Sequence, residues 1–465
     1  MKLKFMGFKR VTFPRGIHPK YNKELSVDKP VEIMPTPAKI LVPLLQNIGA
    51  MSVPVVKPKQ EVRFGEKIAK GEAFISADIH SPISGVIQKQ TVTTLPNGRH
   101  VPVLPIKTTG EQKEGKELWD MIYGGDWLKN LSTDFTANGV TQKIHEAGIV
   151  GLGGAAFPSH VKIAYNYKNT VDTLLINGCE CEPYLTTDYR LMVESPESIV
   201  VGSLLSGKTL NTNKIFICIE DNKPEAIKAI REAAKDTPIK VVVLKTKYPQ
   251  GSERHLVKAV LNRTIPLGGL PVDVDVTVNN VSTVAAVSGA VLRGNPLTHR
   301  IVTVTGRGIK NPKNLMVPIG TQYKDVLDHC GGLTDDAVRV ISGGPMMGFA
   351  FTDFEMPITK GTSGITVLTE HDMSQRRETA CIRCGRCVDV CPMRLVPAKL
   401  AKAARNRDID LARKYNIAGC MESGCCGYIC PANIPLVQLI RMGKAMIVAD
   451  EKNKTKIKQL EPNEE

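Results

Sequence analysis

Cysteines supply the clearest chemistry in this sequence. Eight of its twelve cysteines lie within residues 381–430. Four of them open that segment at a C-x2-C-x2-C-x3-C-P spacing: Cys381, Cys384, Cys387 and Cys391, followed by Pro392. Thiolates at this spacing can surround one [4Fe–4S] cube, with the fourth cysteine reaching across to a second cube. A zinc site is the alternative, but zinc takes its sulfurs from two separated pairs, which this run does not resemble.

A second, imperfect copy of the motif occupies residues 419–431, which read GCMESGCCGYICP. The copy keeps Cys420, Cys426 and Cys430, but its second position is Ser423. By the crossing rule of two-cluster ferredoxins, one cluster draws on both copies. Its predicted ligands are Cys381, Cys384, Cys387 and Cys430. The second cluster then takes Cys391, Cys420, Cys426 and one further ligand.

Three possibilities exist for that further ligand. Ser423 could bind as an alkoxide, although a hard oxygen suits a thiolate site poorly. The second cluster could instead remain three-ligated. Cys425 could also bind, because Gly424 and Gly427 allow the sharp turn that two adjacent cysteine ligands require. We favour Cys425, with a free thiol beside a ligand as the alternative.

A glycine-rich stretch, AGIVGLGGAAFPSHVK at residues 147–162, is the second chemical signal. Taken alone, it could be only a tight turn between a strand and a helix. Pro158 and Ser159 can begin a helix there, whose free amide groups would face an anion, and Lys162 adds a positive charge. The strand TLLIN follows and ends in GCECEPYLTTD, where Glu180 and Glu182 could accept from ribose hydroxyls or form a solvated acidic turn.

Composition limits the class of protein that carries these signals. The 465 residues suffice for several domains, and the formal net charge of +15 suggests an anionic partner or a merely basic surface. Aromatic content of 5% leaves few stacking platforms, which argues against nucleic acid. No apolar run approaches the ~20 residues that span a bilayer, and no secretory signal is evident. We therefore expect a cytosolic chain with reduced cysteines.

The order of elements predicts several units. Residues 1–30 are expected to be irregular, and residues 31–110 to form a β unit that resembles a lipoyl or biotinyl barrel without its carrier lysine. Strands alternating with helices predict a Rossmann-like α/β domain with a parallel sheet over residues 111–298. Residues 299–368 return to β structure around one helix. A helical, ferredoxin-like domain with two clusters is expected at residues 369–445, and a charged tail at 446–465, of which residues 451–465 are expected to be disordered.

Several motifs together resemble one family. GLGGAAFPSHVK is similar to the GRGGAGFPTGLK loop of the flavin- and NADH-binding subunit of respiratory complex I, and NGCECEP to its NADESEP loop. YPQGSE at 248–253 and TVNNVST at 277–283 resemble its Y-x-x-G-E and TINNVET. With the barrel-like start and the two-cluster end, the order most resembles the C subunits of Rnf complexes. This resemblance implies that residues 299–368 form a β-grasp module of the SLBB type.

The resemblance also implies site residues. The flavin loop maps to Gly151, Gly153, Gly154 and Lys162. The loop facing flavin and nucleotide maps to Asn177, Glu180 and Glu182. The remaining predicted cofactor-binding positions are Tyr248, Gly251, Glu253, Asn279, Asn280 and Thr283. Leu152 stands where complex I has arginine, and Cys179 replaces its aspartate. Cys179 and Cys181 are expected to be ordinary thiols.

The implied function is electron transfer within a membrane-bound, ion-translocating ferredoxin:NAD oxidoreductase. Its cofactors would be FMN and two [4Fe–4S] clusters, with NAD(H) as substrate and no catalytic side chains beyond the cofactors. Its partners would be the other subunits, including an iron–sulfur subunit that accepts electrons from ferredoxin. The chain is expected on the cytoplasmic side of the membrane as a peripheral subunit. A flavin and iron–sulfur subunit of a soluble hydrogenase or formate dehydrogenase, and a non-catalytic electron-wiring module, are the alternatives.

Overall fold

A computed structural model describes residues 11–129, 135–164, 171–374 and 376–460 of the chain. Its first regular element is the short strand β1 (Val31–Ile33). The barrel unit follows, with β2 (Lys39–Pro43), β3 (Val53–Pro54), β4 (Glu61–Val62), β5 (Lys67–Lys70), β6 (Ile79–His80), β7 (Gly85–Ile87), β8 (Thr91–Thr94) and β9 (His100–Thr108). These strands form two antiparallel sheets, β2-β9-β7-β4 with β8 beside β9, and β3-β5-β6. The predicted barrel-sandwich unit is therefore confirmed.

The flavin unit is an α/β layer. Its elements are α1 (Gly115–Ile122), α2 (Ala137–Glu146), α3 (Ser159–Ala164), β10 (Thr173–Gly178), α4 (Thr187–Glu194), α5 (Pro196–Thr209), β11 (Ile215–Glu220), α6 (Pro224–Ala233), β12 (Lys240–Leu244), α7 (Glu253–Leu261), β13 (Val276–Asn280) and α8 (Val281–Arg293). The strands β10, β11 and β12 are mostly apolar, whereas β13 reads VTVNN, and together the four form a parallel sheet in the order β12-β11-β10-β13. The predicted Rossmann-like layer is confirmed.

Two features of this layer position the predicted loops. Prolines stand in the first turns of α5 and α6, where a missing amide hydrogen costs nothing. Because the strands are parallel, the loops after β10 and β13 leave the sheet at the same edge. That edge carries the acidic loop and the beginning of α8. Residues 165–168 of the helix predicted after Pro158 lie outside the described residues.

The β-grasp unit contains β14 (His299–Thr305), β15 (Lys313–Pro318), α9 (Tyr323–His329), β16 (Ala337–Ser342), β17 (Phe349–Phe351) and β18 (Gly364–Thr369). Its sheet has the order β1-β15-β14-β18-β16-β17. The strand β1 was expected to open the barrel unit, but it pairs in parallel with β15 at the edge of this sheet. Val31 also donates its amide to Glu194 of the flavin unit, so this strand ties two units together. The proposed domain boundaries otherwise stay predictions.

The cysteine unit is helical, with α10 (Arg386–Asp389), α11 (Pro397–Arg405), α12 (Ile409–Lys414), α13 (Cys425–Ile429) and α14 (Leu436–Leu460). The expectation that residues 451–465 are disordered is wrong as far as 460, because α14 continues through that segment. Asp450 explains part of this, since it pairs with Arg413 of α12 and with Lys454 one turn later, each at 2.9 Å. Residues 461–465 lie outside the described residues. Within the described part of the chain, no helix is long and apolar enough to cross a membrane.

Candidate functional site

The glycine loop is closed by its own backbone. Gly151 donates its amide to Phe157 at 2.8 Å, and Ala156 donates to Gly151 at 3.1 Å. Gly154 adopts φ +112°, which L side chains rarely reach, and a Cβ built there would have no atom within 4 Å. Leu152 donates its amide to the Thr283 hydroxyl at 2.9 Å, which holds the loop against the first turn of α8. The loop therefore offers open backbone beside a helix N-terminus, which suits a phosphate.

Asparagine and serine side chains organise that N-terminus. Asn280 caps α8 by accepting from the Ser282 amide at 2.8 Å, and its Nδ2 donates to Asp188 at 2.7 Å. The Ser282 hydroxyl donates to the same carboxylate at 2.7 Å. One residue earlier, Asn279 is buried, and its Nδ2 has no hydrogen-bond partner among the described residues. A buried donor without an acceptor is unfavourable, so this edge has room for a ligand oxygen.

Lys162 is less available than the sequence suggested. Its ammonium forms an ion pair with Glu253, another predicted cofactor-binding residue, and both side chains are partly exposed. The pair brings the glycine loop's helix α3 next to the start of α7. The positive charge expected beside the loop is therefore already matched by a carboxylate.

The acidic loop is engaged by protein groups, so the solvated-turn alternative does not describe it. The Glu180 carboxylate is buried and accepts from the amides of Asp188 at 2.7 Å and Tyr189 at 3.3 Å, at the start of α4. Lys23 approaches it at 3.6 Å and donates to the backbone carbonyls of Glu180 and Leu185. Burial raises the pKa of Glu180 above its ordinary value, and the Lys23 ammonium opposes that rise.

Glu182 reaches into the β-grasp unit. Its Oε1 accepts from the amides of Met346 at 2.6 Å and Met347 at 3.2 Å. Burial raises the pKa of this carboxyl to about 7, although the two amides lower it in part. The carboxyl thus anchors the turn between β16 and β17, which we call the methionine turn (residues 344–348).

The remaining predicted positions converge beside this loop. Asn177 donates its side-chain amide to Gly251 at 2.7 Å, and Gly251 donates its own amide to Cys181 at 3.3 Å. Tyr248 is 1% exposed, and its hydroxyl donates to the Ser423 carbonyl at 2.7 Å. The Tyr248 hydroxyl thus points to the cysteine unit, and the cofactor-binding role expected of this residue stays a prediction. The flavin unit and the second cysteine motif therefore touch directly.

A cavity lies beside Ser423, on the cysteine side of that contact. The cysteines that line it are Cys391, Cys420, Cys425 and Cys426, and Ser423 lines it as well. This is the cysteine set that the crossing rule predicts for the second cluster, with both candidates for its last ligand. Thiolates around a cavity are the donors that a [4Fe–4S] cube requires, so the residues fit the group.

Among the described residues, no three His, Cys, Asp or Glu side chains converge as a single-ion site would need. A cube binds each of its cysteines at a different iron, so its ligands are spread around the group. Ser423 hydrogen-bonds the thiol of Cys425, and burial raises the pKa of that thiol to about 11. Gly424, at φ +80°, turns the chain just before α13 begins at Cys425.

The first cysteine motif lies nearer the surface. Cys381 and Cys384 are exposed, whereas Cys387 and Cys430 are partly buried. Burial raises the pKa of Cys387, and the neighbouring thiols of Cys430, Cys381 and Cys384 raise it further. The set predicted for the first cluster is thus gathered in one place, close to solvent.

Sequence reasoning missed the role of the leading segment (residues 11–27). Arg15 donates to the Val388 carbonyl at 2.8 Å, and Gly16 donates its amide to Val390 at 3.1 Å, immediately before Cys391. Ile17 pairs with Tyr248 as an isolated bridge. The segment therefore runs from the cysteine unit to the acidic loop. Its prolines and glycine predict only that regular secondary structure is interrupted there, and no periodic pattern could have revealed these contacts.

Comparisons with known families agree with this arrangement. Residues 11–111 match the RnfC barrel sandwich hybrid domain, 144–289 the Nuo51 FMN-binding domain, 301–350 the SLBB domain and 373–431 a 4Fe-4S dicluster domain. The FMN and iron–sulfur cofactor predictions are thereby confirmed. The residues that hold these cofactors stay predictions.

Curated relatives cover nearly the whole chain. The C subunit of the proton-translocating ferredoxin:NAD(+) oxidoreductase complex of Clostridium ljungdahlii is 42% identical over 93% of each chain. The C subunit of the ion-translocating oxidoreductase complex of Rhodobacter capsulatus is 41% identical, over 93% of this chain and 82% of its own. The C subunit of the Na(+)-translocating ferredoxin:NAD(+) oxidoreductase complex of Acetobacterium woodii is 38% identical, over 96% and 99%. Among solved structures, an NAD+-reducing [NiFe]-hydrogenase chain is 18% identical with a TM-score of 0.49, over 71% of this chain and 66% of that chain.

Proposed function

This chain belongs to the family of C subunits of ion-translocating ferredoxin:NAD(+) oxidoreductase complexes, and we propose that it is the subunit that exchanges electrons with NAD(H). The reaction at this subunit is NAD⁺ + 2e⁻ + H⁺ ⇌ NADH, with the proton taken from water. NAD(H) exchanges both electrons together and an iron–sulfur cluster exchanges one, and a flavin supplies the chemistry that joins the two. The protein's own part is to bind, orient and shield these groups.

The observation that carries the proposal is the contact between the flavin unit and the second cysteine motif. Tyr248 belongs to the same loop as Gly251, whose carbonyl accepts from the Asn177 side chain. The Tyr248 hydroxyl donates to the Ser423 carbonyl at 2.7 Å. Ser423 lines the sulfur cavity. A binding loop for flavin and a cage of thiols share one buried contact, as electron exchange between them requires.

We assign the cofactor contacts as follows. The glycine loop and the first turn of α8 hold the FMN phosphate, through Gly151, Gly153, Gly154, Asn279, Asn280 and Thr283. Asn177, Glu180 and Glu182 shape the wall that faces flavin and nucleotide, and Glu253 with Lys162 closes its rim. Cys381, Cys384, Cys387 and Cys430 bind the first cluster. Cys391, Cys420, Cys425 and Cys426 bind the second.

Cys425 is assigned rather than Ser423 because of their chemistry. Both line the cavity, but Cys425 is fully buried and carries the softer donor. The Ser423 hydroxyl, which bonds the Cys425 thiol, would then stabilise the thiolate. Cys425→Ala should remove about half of the bound iron and one of two cluster signals in low-temperature EPR. Ser423→Ala is the matched control and should keep both clusters, and the opposite pattern would reject the assignment.

Attachment is proposed to be peripheral, on the cytoplasmic face of the membrane. The chain would bind through other subunits of the complex, including an iron–sulfur subunit that receives electrons from ferredoxin. The net charge of +15 would add an electrostatic share, which salt weakens. Native protein found in the soluble fraction at low salt, without membrane partners, would contradict this.

The function is tested on the anaerobically purified complex. Mixing with NADH should bleach the flavin absorbance near 450 nm, and reduced-cluster EPR signals should follow in the same sample. A matched sample of the Gly153→Asp variant should keep its clusters but show neither change with NADH, while dithionite still reduces its clusters. If NADH reduces the clusters of that variant as fast as those of the wild type, the flavin of this subunit is not on the route.

A further inference from the structure

Arg300, on the first strand of the β-grasp unit, is a buried cation that lacks a counter-ion. The residue is 1% exposed. Its Nη2 donates to the Leu152 carbonyl at 3.1 Å and its Nε to the Thr362 carbonyl at 3.3 Å. Its Nη1 has no hydrogen-bond partner among the described residues, and none of their carboxylates forms an ion pair with it. A guanidinium stays protonated in proteins, so this charge is permanent.

An unmatched buried charge is unfavourable by several kcal/mol in typical proteins, unless an anion comes close. Burial lowers the pKa of Arg300, and the fields of Tyr123 and, after it, the Asp188 carboxylate oppose that change. Asp188 already accepts from Asn280 and Ser282, which cap α8. The protein itself therefore leaves the Arg300 charge incompletely balanced.

The position of this charge is informative. Leu152 lies between Gly151 and Gly153, so the bond from Arg300 to its carbonyl brings the guanidinium against the backbone of the glycine loop. Leu152 is also tied by its amide to Thr283 in the first turn of α8. A second unsatisfied donor, the buried Nδ2 of Asn279, lies just before that helix. The N-terminus of α8, a helix of 13 residues, adds a partial positive charge.

Two elements thus place positive potential at this loop: β14 through Arg300, and α8 through its first turn, which holds the Leu152 amide. The loop itself brings no charge at position 152, which is a leucine, and the nearby Lys162 is matched by Glu253. A ligand group with two negative charges satisfies this arrangement, whereas a neutral group does not.

We propose that Arg300 is a positioning residue that selects the phosphate monoester of the flavin. It holds the Leu152 carbonyl away from the anion and places its charge behind Gly153 and Gly154. The β-grasp unit thereby takes part in binding a cofactor that the α/β layer presents. This inference rests on the proposed flavin function.

The test compares FMN with riboflavin, which has the same ring system without the phosphate. The full-length chain, purified anaerobically with its clusters and stripped of flavin, is titrated with each, and quenching of flavin fluorescence gives the two Kd values. Arg300→Met should raise the Kd for FMN at least tenfold and leave the Kd for riboflavin within about twofold. Arg300→Lys, which keeps the charge, should recover most of the FMN affinity.

Arg263→Met is the matched control. Arg263 pairs with Asp172 at 2.7 Å at the opposite edge of the parallel sheet, and its loss should change neither Kd.

If Arg300→Met weakens the binding of both flavins equally, Arg300 only packs the loop, and the inference fails. It fails too if neither Kd changes. If the wild type binds neither flavin, the proposed function falls first, so the two failures are distinguishable. Should Arg300→Met not fold, the Arg300→Lys variant decides alone. If its preference for FMN over riboflavin, given by the ratio of the two Kd values, equals that of the wild type, the proposed role of the charge is supported. If that ratio falls to one, the proposed role is rejected.

Discussion

Glu182→Gln tests whether a buried carboxyl controls the methionine turn. Both amides of the turn, from Met346 and Met347, are bonded to the same oxygen of Glu182, and a glutamine carbonyl can take its place. The substitution therefore keeps the contact and removes only the titration. Since burial raises the pKa of this carboxyl to about 7, the closed turn favours the protonated acid.

The sign and size follow from linkage. A carboxyl whose pKa is raised in the closed state contributes stability that is complete below its ordinary pKa of 4.5 and is lost as pH rises through about 7. Between pH 6 and pH 8, the closed turn should become about tenfold less favoured relative to the open one, which is about 1.4 kcal/mol. In Glu182→Gln, that pH dependence should vanish, and the turn should stay closed at pH 8.

Hydrogen–deuterium exchange measures this directly. Protection of the Met346 and Met347 amides, corrected for the intrinsic effect of pH on exchange, should fall about tenfold between pH 6 and pH 8 in the wild type and stay level in the variant. The amides of Asp188 and Tyr189, which bond to Glu180 instead, are the internal control, and the substitution should leave them unchanged. Equal protection of the turn at both pH values in the wild type would refute the reasoning.

Three further substitutions have defined outcomes. Gly153→Asp brings a carboxylate to the phosphate loop and should abolish FMN binding while iron content stays normal; a variant with full flavin would show that the loop is misassigned. Gly202→Ala places a Cβ against the backbone carbonyl of Val284, where α5 crosses α8, and this overpacking should cost about 1–3 kcal/mol. An unaltered thermal unfolding temperature would contradict it. Tyr248→Phe leaves the buried Ser423 carbonyl unsatisfied and should cost about 1–3 kcal/mol in denaturant unfolding, so an unchanged midpoint would argue against the contact.

Much of the fold could be predicted from local sequence patterns. The strands β10 and β11 of the flavin unit are mostly apolar runs bounded by turn residues, and a strand of this kind is buried on both faces of a parallel sheet. Cysteine spacing is equally local, because one loop supplies most ligands of one cube. The same spacing predicted that Cys391 belongs to the ligands of the second cluster, and Cys391 lines the cavity together with the other cysteines of that set.

Contacts between distant segments could not be predicted in this way. Nothing near Glu182 indicates that its partner is Met346, 164 positions later. The polar end of α14 reads as disordered by composition, yet Asp450 finds Arg413 on another helix. The three-residue strand β1 has too little sequence to specify its partner. In each case the energy comes from a tertiary neighbour rather than from local propensity.

The leading segment has a consequence for how the protein is made. Arg15 meets its acceptor 373 positions later, beside the first cysteine motif, and Lys23 supports the acidic loop. On the ribosome, the earliest residues therefore emerge long before the part of the chain against which they settle. The contacts of Arg15 and Gly16 with the cysteine unit can form only after that unit has been synthesised, whereas Lys23 can reach the acidic loop as soon as residue 185 has left the ribosome. The leading segment is thus expected to settle in two stages, first on the flavin unit and last on the iron–sulfur end.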